Sequence, residues 1–164
     1  MIRKTQPLVL LLALLLTAVS VTGTATATEA INTSVGLTAA GGPLAIHGYD
    51  PVAYFTDGQA RRGRADLSTV WNGAAYRFSS ETNLQAFRKA PAKYAPQFGG
   101  FCAYGVAVGK KFDGDPELFR IVDGKLYFNL NPEIVKVWEK DLEKNITKGD
   151  QQWRVIRNKP AEDL

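Results

Sequence analysis

Alternation of apolar and polar positions outlines two hairpins in this chain. In STVWNGAAYRFSS, Asn72-Gly73 separates Val70-Trp71 from the alternating Ala74, Tyr76 and Phe78. An Asn-Gly pair accepts the positive φ angles of a type I′ turn, so the pattern predicts a β-hairpin. FRIVDGKLYFNL repeats the device around Asp123-Gly124. Two hairpins imply a mainly antiparallel sheet. Between them the spacing becomes helical. Ser79 or Ser80 can cap this helix, Leu84, Phe87 and Asn83 face inward, and Pro91 marks its end. A C-terminal helical segment starts at Asn131-Pro132, an N-cap followed by a residue whose missing N–H would be unpaired there anyway. Ile134, Val135, Trp138, Leu142 and Ile146 form one apolar stripe. Gly149 is expected to bend or break it, with Asp150 capping a short piece that carries Trp153 and Ile156.

Two apolar runs complete the picture. Residues 52–55, between Asp50-Pro51 and Asp57-Gly58, predict a short strand. Residues 101–108 predict a central strand, with Phe101, Ala103, Gly105 and Ala107 on one face and Cys102, Tyr104, Val106 and Val108 on the other. The fold class that follows is α+β: a small, mainly antiparallel sheet with two hairpins, one mid-chain helix and a C-terminal helical segment.

The two ends read differently. Residues 1–27 have the pattern of a secretory signal peptide: Arg3 and Lys4, then an apolar run containing LVLLLALLLTAV, then Ala25-Thr26-Ala27 as a small-residue cleavage site. The run is shorter than the roughly 20 residues a spanning helix needs. The expectation is export to the periplasm or medium, with no membrane attachment after cleavage. Residues 28–43, rich in Thr, Ala, Ser and Gly, read as a flexible leader, 44–157 as the folded domain and 158–164 as a frayed tail.

Cleavage alters the charge. The whole chain carries 20 basic and 16 acidic residues, a net +4. Without Arg3 and Lys4 the excess falls to about +2, too weak and dispersed to argue for nucleic acid. The basic cluster Arg61, Arg62, Arg64 reads as a solvated loop. One histidine, His47, and one cysteine, Cys102, remain. A zinc site of several His or Cys ligands cannot be built from these within one chain. G-x-S-x-G, phosphate-loop and C-x-x-C motifs are absent.

Cys102 lies in QFGGFCAYGVAVG, behind Gly99-Gly100. Four readings are open. It is a buried small hydrophobe with a raised pKa. Or the glycine pair forms a turn whose N–H groups stabilise a thiolate, making a reactive redox thiol. Or it ligates a soft metal such as copper, with His47 as a second ligand. Or it pairs with a second copy in a homodimer. His47 could also act as a base toward the thiol, against the simpler reading of a loop histidine. Asp50 reads as a turn residue bonding its own backbone. Tyr54, Tyr76, Trp71, Trp138 and Trp153 read as core and rim aromatics rather than a ligand cage.

GYDPVAYF and WNGAAYRFSSETNLQAFRKAPAKY together resemble the YHS domain family. The continuation through YAPQFGGFCAYGVAVG and DGKLYFN is similar to its exported branch, described as YHS domain-containing (seleno)proteins. The resemblance implies that family's fold, which does not by itself carry the family's site. In relatives thought to bind metal it implies cysteines at places that are Ala53, Ser79 and Asn83 here, so that thiolate site is not available to this chain. In the exported branch it implies chemical interest in Cys102, since some relatives encode selenocysteine there. The reading that follows is an exported binding module, more a binder than a turnover enzyme, acting through thiol redox chemistry or soft-metal binding at Cys102. A thiol-dependent redox enzyme and an interaction module with an inert cysteine are the alternatives.

Overall fold

The computed structural model describes residues 27–164. The signal-peptide reading, Ala27 apart, lies outside the described residues. The architecture is α+β, with a mixed four-stranded sheet, a separate hairpin and several helices. The first sheet has strands β1 (Thr33–Leu37), β2 (Pro43–Ala45), β3 (Arg64–Trp71) and β4 (Ala74–Phe78), in the order β1-β2-β4-β3. β3 and β4 form the antiparallel hairpin read from the sequence, with Asn72 at φ 49° and Gly73 at φ 82°. β2 joins β4 in parallel, so the sheet is mixed. β1, inside the stretch read as a leader, pairs antiparallel with β2 at the sheet edge. The second hairpin, β5 (Asp115–Val122) and β6 (Lys125–Asn129), turns at Asp123 and Gly124, both at positive φ.

Residues 52–55 are not a strand. The chain coils there into α1 (Ala53–Thr56). The buried Asp50 carboxylate accepts the Val52 and Ala53 N–H groups at 2.8 and 3.3 Å, which starts the turn. A four-residue apolar run carries no period that tells helix from strand. The mid-chain helix α2 (Glu81–Lys89) is capped by Ser80, whose Oγ accepts the Asn83 N–H, and it buries Asn83, Leu84 and Phe87. A short helix α3 (Pro91–Tyr94) follows.

The second strand expectation, over 101–108, also gives way to a helix, α4 (Ala103–Ala107), with Cys102 at its N-cap. Apolarity on both faces fits a helix buried all round as well as a central strand. The C-terminal stripe divides between α5 (Pro132–Lys140), capped by Asn131, and α6 (Leu142–Ile156). The break is at Asp141, not at Gly149. Gly149 lies inside α6, where a Cβ would stand 2.7 Å from the Phe98 ring. It permits close helix packing rather than a bend. Residues 158–164, read as a tail, pass through a 3-10 turn, and Leu164 rests against the core. Among the described residues no helix is long and apolar enough to cross a membrane.

β6 divides the interior. Its side chains alternate, so Leu126 and Phe128 enter one apolar cluster with Tyr54, Tyr76, Phe78 and Phe87. Tyr127 enters the other with Phe98, Val106, Trp138 and Ile156. The first cluster is built on the mixed sheet, α1 and α2. The second lies among α4, α5 and α6.

Candidate functional site

Cys102 sits where β6 meets α4. Its N–H donates to the Phe112 carbonyl at 2.9 Å, and the chain makes an isolated parallel bridge to Phe128. The residue is 1% exposed. Its sulfur accepts the Gly105 N–H at 3.4 Å and lies 3.8 Å from Oδ1 of Asn129. That oxygen also accepts the Tyr104 N–H at 3.3 Å. Sulfur and amide together satisfy the first N–H groups of α4, the place an N-cap side chain fills. Burial pushes the thiol pKa up, and the N–H groups of Gly105, Leu130 and Tyr104 pull it back in smaller measure. The protonated thiol is therefore the resting form, and a thiolate is disfavoured.

Gly99 and Gly100 do a different job from the one read for them. The amides facing the sulfur belong to Tyr104, Gly105 and Leu130. The glycines receive the N-terminal segment. Gly99, at φ 63°, has the Ala30 carbonyl oxygen 1.9 Å from where a Cβ would be, and its own carbonyl accepts the Asn32 N–H at 2.9 Å. Gly100, at φ 89°, accepts from Asn32 Nδ2 at 3.2 Å.

His47 has other partners than Cys102. It occupies a 3-10 turn, Ile46–Gly48, at φ 50°. Its Nε2 stands 2.9 Å from Oδ1 of Asp113, which also accepts from Asn32 Nδ2 at 2.6 Å. The surrounding cleft, about 410 Å³, includes Tyr49, Arg62, Asp115 and Glu117. These groups pair with one another: Tyr49 Oη donates to Glu117 at 2.7 Å, and the Arg62 guanidinium lies 4.2 Å over the Tyr49 ring. Among the described residues, no group of three or more His, Cys, Asp and Glu side chains is placed to hold a metal ion.

Asp50 is the more elaborate polar site. It is fully buried. Oδ1 accepts the Val52 and Ala53 N–H groups. Oδ2 accepts the Ser79 N–H at 2.8 Å, the Ser79 hydroxyl at 2.6 Å and Asn83 Nδ2 at 2.7 Å. Ala53, Ser79 and Asn83, the three positions singled out in the sequence as non-cysteine, thus converge on one carboxylate. The turn reading of Asp50 holds and extends, because the same side chain ties α1 to the end of β4 and the start of α2. Donors saturate it, and none is a cation.

Three features escaped sequence reading. Asn129 is fully buried beside Cys102 and its Nδ2 lacks a partner among the described residues. Its signal was a polar residue closing the apolar run Leu126-Tyr127-Phe128. Lys111 is 6% exposed, and its Nζ donates to the carbonyls of Glu29, Arg157 and Lys159 at 2.5, 2.9 and 2.5 Å, clamping both ends of the domain. Nothing local distinguishes it from a surface lysine. Lastly, a cavity of about 370 Å³ opens between the β3–β4 hairpin, residues 95–99 and α6, with Trp71, Tyr76, Phe98 and Trp153 among its walls. Its parts are remote in sequence, so only the fold assembles it.

The family model of the YHS domain matches residues 52–98, which run from α1 to the turn before Cys102. No curated protein and no solved structure gives a significant match.

Proposed function

We propose that this chain is an exported YHS-type binding module in which Cys102 is a structural cap rather than a chemical group. The observation that carries this reading is the sulfur itself. It is 1% exposed, held between the Gly105 N–H and the Asn129 amide, and protonated by burial. Redox attack needs an accessible thiolate. A soft-metal site needs further ligands, and His47 is committed to Asp113. A disulfide to a second copy would need the sulfur brought to the surface. The export part of the proposal rests on the pattern of residues 1–27.

Two measurements test the reading. Incubation of the native protein with oxidised glutathione, followed by intact mass, is expected to show no mixed disulfide. Thermal melting with copper or zinc is expected to give no shift that depends on Cys102. A glutathione adduct formed under native conditions, or a metal-induced rise in Tm that Cys102→Ser abolishes, would overturn it in favour of the thiol redox or metal reading.

A further inference from the structure

We propose that the cavity walled by Trp71, Phe98 and Trp153 binds a small, neutral, planar aromatic molecule bearing one hydrogen-bonding group, received by the Tyr76 hydroxyl. This names the ligand class for the binding-module reading and rests on it.

Size comes first. At about 370 Å³ the cavity is at the small end of ligand pockets and holds about a dozen water-sized volumes, the room of one or two fused rings. Its walls suit a flat apolar body. Trp71 and Tyr76 come from the hairpin with ring centroids 6.1 Å apart and planes at 61°. Phe98 and Trp153 pack side by side at 6.0 Å, their planes tilted by 60°. Tilted rings offer both faces and edges to an aromatic guest. Ala30 and Ile31 of the N-terminal segment close one side, brought close by the absence of a side chain at Gly99.

Tyr76 supplies the second, independent observation. It is only 2% exposed, packed on Phe87 at 4.9 Å, and it lines the cavity. Buried tyrosine hydroxyls normally find a partner. The Tyr54 hydroxyl in the same apolar cluster donates to the Pro116 carbonyl at 3.0 Å. The Tyr76 hydroxyl makes no hydrogen bond among the described residues and, unlike Asn129 Nδ2 and Trp138 Nε1, is not sealed from solvent. A ligand with one donor or acceptor would complete it.

Charge decides the rest. Asp150 and Arg157 stand at the rim, exposed, on the same face of α6 and its end, with opposite signs. Together they give the entrance no net charge, so neither an anion nor a cation is favoured.

The test uses the full chain, with 2-naphthol and naphthalene as probes and calorimetric titration as the readout. The two share a ring system and differ by one hydroxyl. Wild type is expected to bind 2-naphthol saturably and about fivefold more tightly than naphthalene, the ratio one ordinary hydrogen bond supplies. Tyr76→Phe should remove that ratio while leaving naphthalene binding unchanged. Trp153→Ala should weaken both. Cys102→Ser should bind both as wild type does, so reactivity of the thiol and emptiness of the cavity are separate failures. Absence of saturable binding by either probe, or a 2-naphthol advantage that survives in Tyr76→Phe, would overturn the proposal.

Discussion

Asp50 and Cys102 are both buried polar groups that begin a helix, yet they are held in opposite ways. Asp50 has five donors at 2.6 to 3.3 Å, from the turn into α1, from Ser79 just after β4 and from Asn83 in α2. Cys102 has one N–H at hydrogen-bond distance, that of Gly105 at 3.4 Å, with the Tyr104 and Leu130 amides also facing it and one weak sulfur contact at 3.8 Å to an asparagine whose Nδ2 has no partner among the described residues. Asp50 lies just before the segment that matches the YHS model and binds its start to its middle; Cys102 lies beyond it. The difference teaches where the polar strength of the molecule is spent. A buried carboxylate demands complete satisfaction and so organises its surroundings. A buried thiol asks little, so it can serve as a small apolar plug with a modest capping role.

The comparison is broken most sharply at Asp50. Asp50→Ala leaves the Ser79, Asn83, Val52 and Ala53 donors without their acceptor and is expected to cost about 3 kcal/mol or more in urea denaturation. A loss under about 1 kcal/mol would show that water replaces the carboxylate and that the network is not architectural. Gly99→Ala should come next. Its new Cβ meets the Ala30 carbonyl, and its φ of 63° is strained for alanine. We expect a loss of about 2 kcal/mol with no gain in thiol reactivity, assigning the glycine to segment docking. If Gly99→Ala instead speeds labelling of Cys102 without loss of stability, the glycine turn acts on the thiol and not on the docked segment.

At Cys102 itself the expected effect is smaller. Cys102→Ala removes a weak cap and a sulfur-sized volume, about 1–2 kcal/mol, and Cys102→Ser should recover part of it because a hydroxyl also accepts the Gly105 N–H. The pH dependence is smaller still and has a definite sign. The folded thiol pKa is raised, so its contribution to stability is whole below the unfolded value and is lost as pH rises through the folded one. From about pH 8.5 upward, wild type should therefore lose stability faster than Cys102→Ala. The raised tyrosines, Tyr127 among them at about 12, are common to both proteins and cancel in the difference. The opposite slope would mean that the fold favours the thiolate.

What the sequence disclosed follows the same division between strong and weak local demands. Asn72-Gly73 and Asp123-Gly124 were legible because positive φ at two successive positions restricts residue choice. Ser80 and Asn131 were legible because orphan N–H groups need a short polar side chain. Residues 52–55 and 101–108 were misread as strands because short runs apolar on all sides carry no period, and the deciding contacts came from Asp50 and Asn129. Gly149 was misread because its neighbour, Phe98, is 51 positions away in the chain. For the site, Cys102 was found at once but its burial was one of four readings. The Asp50 network was half visible as a turn. The cavity was invisible, since its aromatic walls were indistinguishable from core.

The central claim is that the one thiol of the described chain is a capped, protonated core group. Rates of iodoacetamide labelling of the native protein between pH 6 and 10 test it most directly, with the urea-unfolded protein as reference. The account predicts that native labelling is far slower than in urea and is limited by opening of the fold, with no thiolate titration below about pH 8.5. Rapid native labelling with an apparent pKa below that value would contradict it.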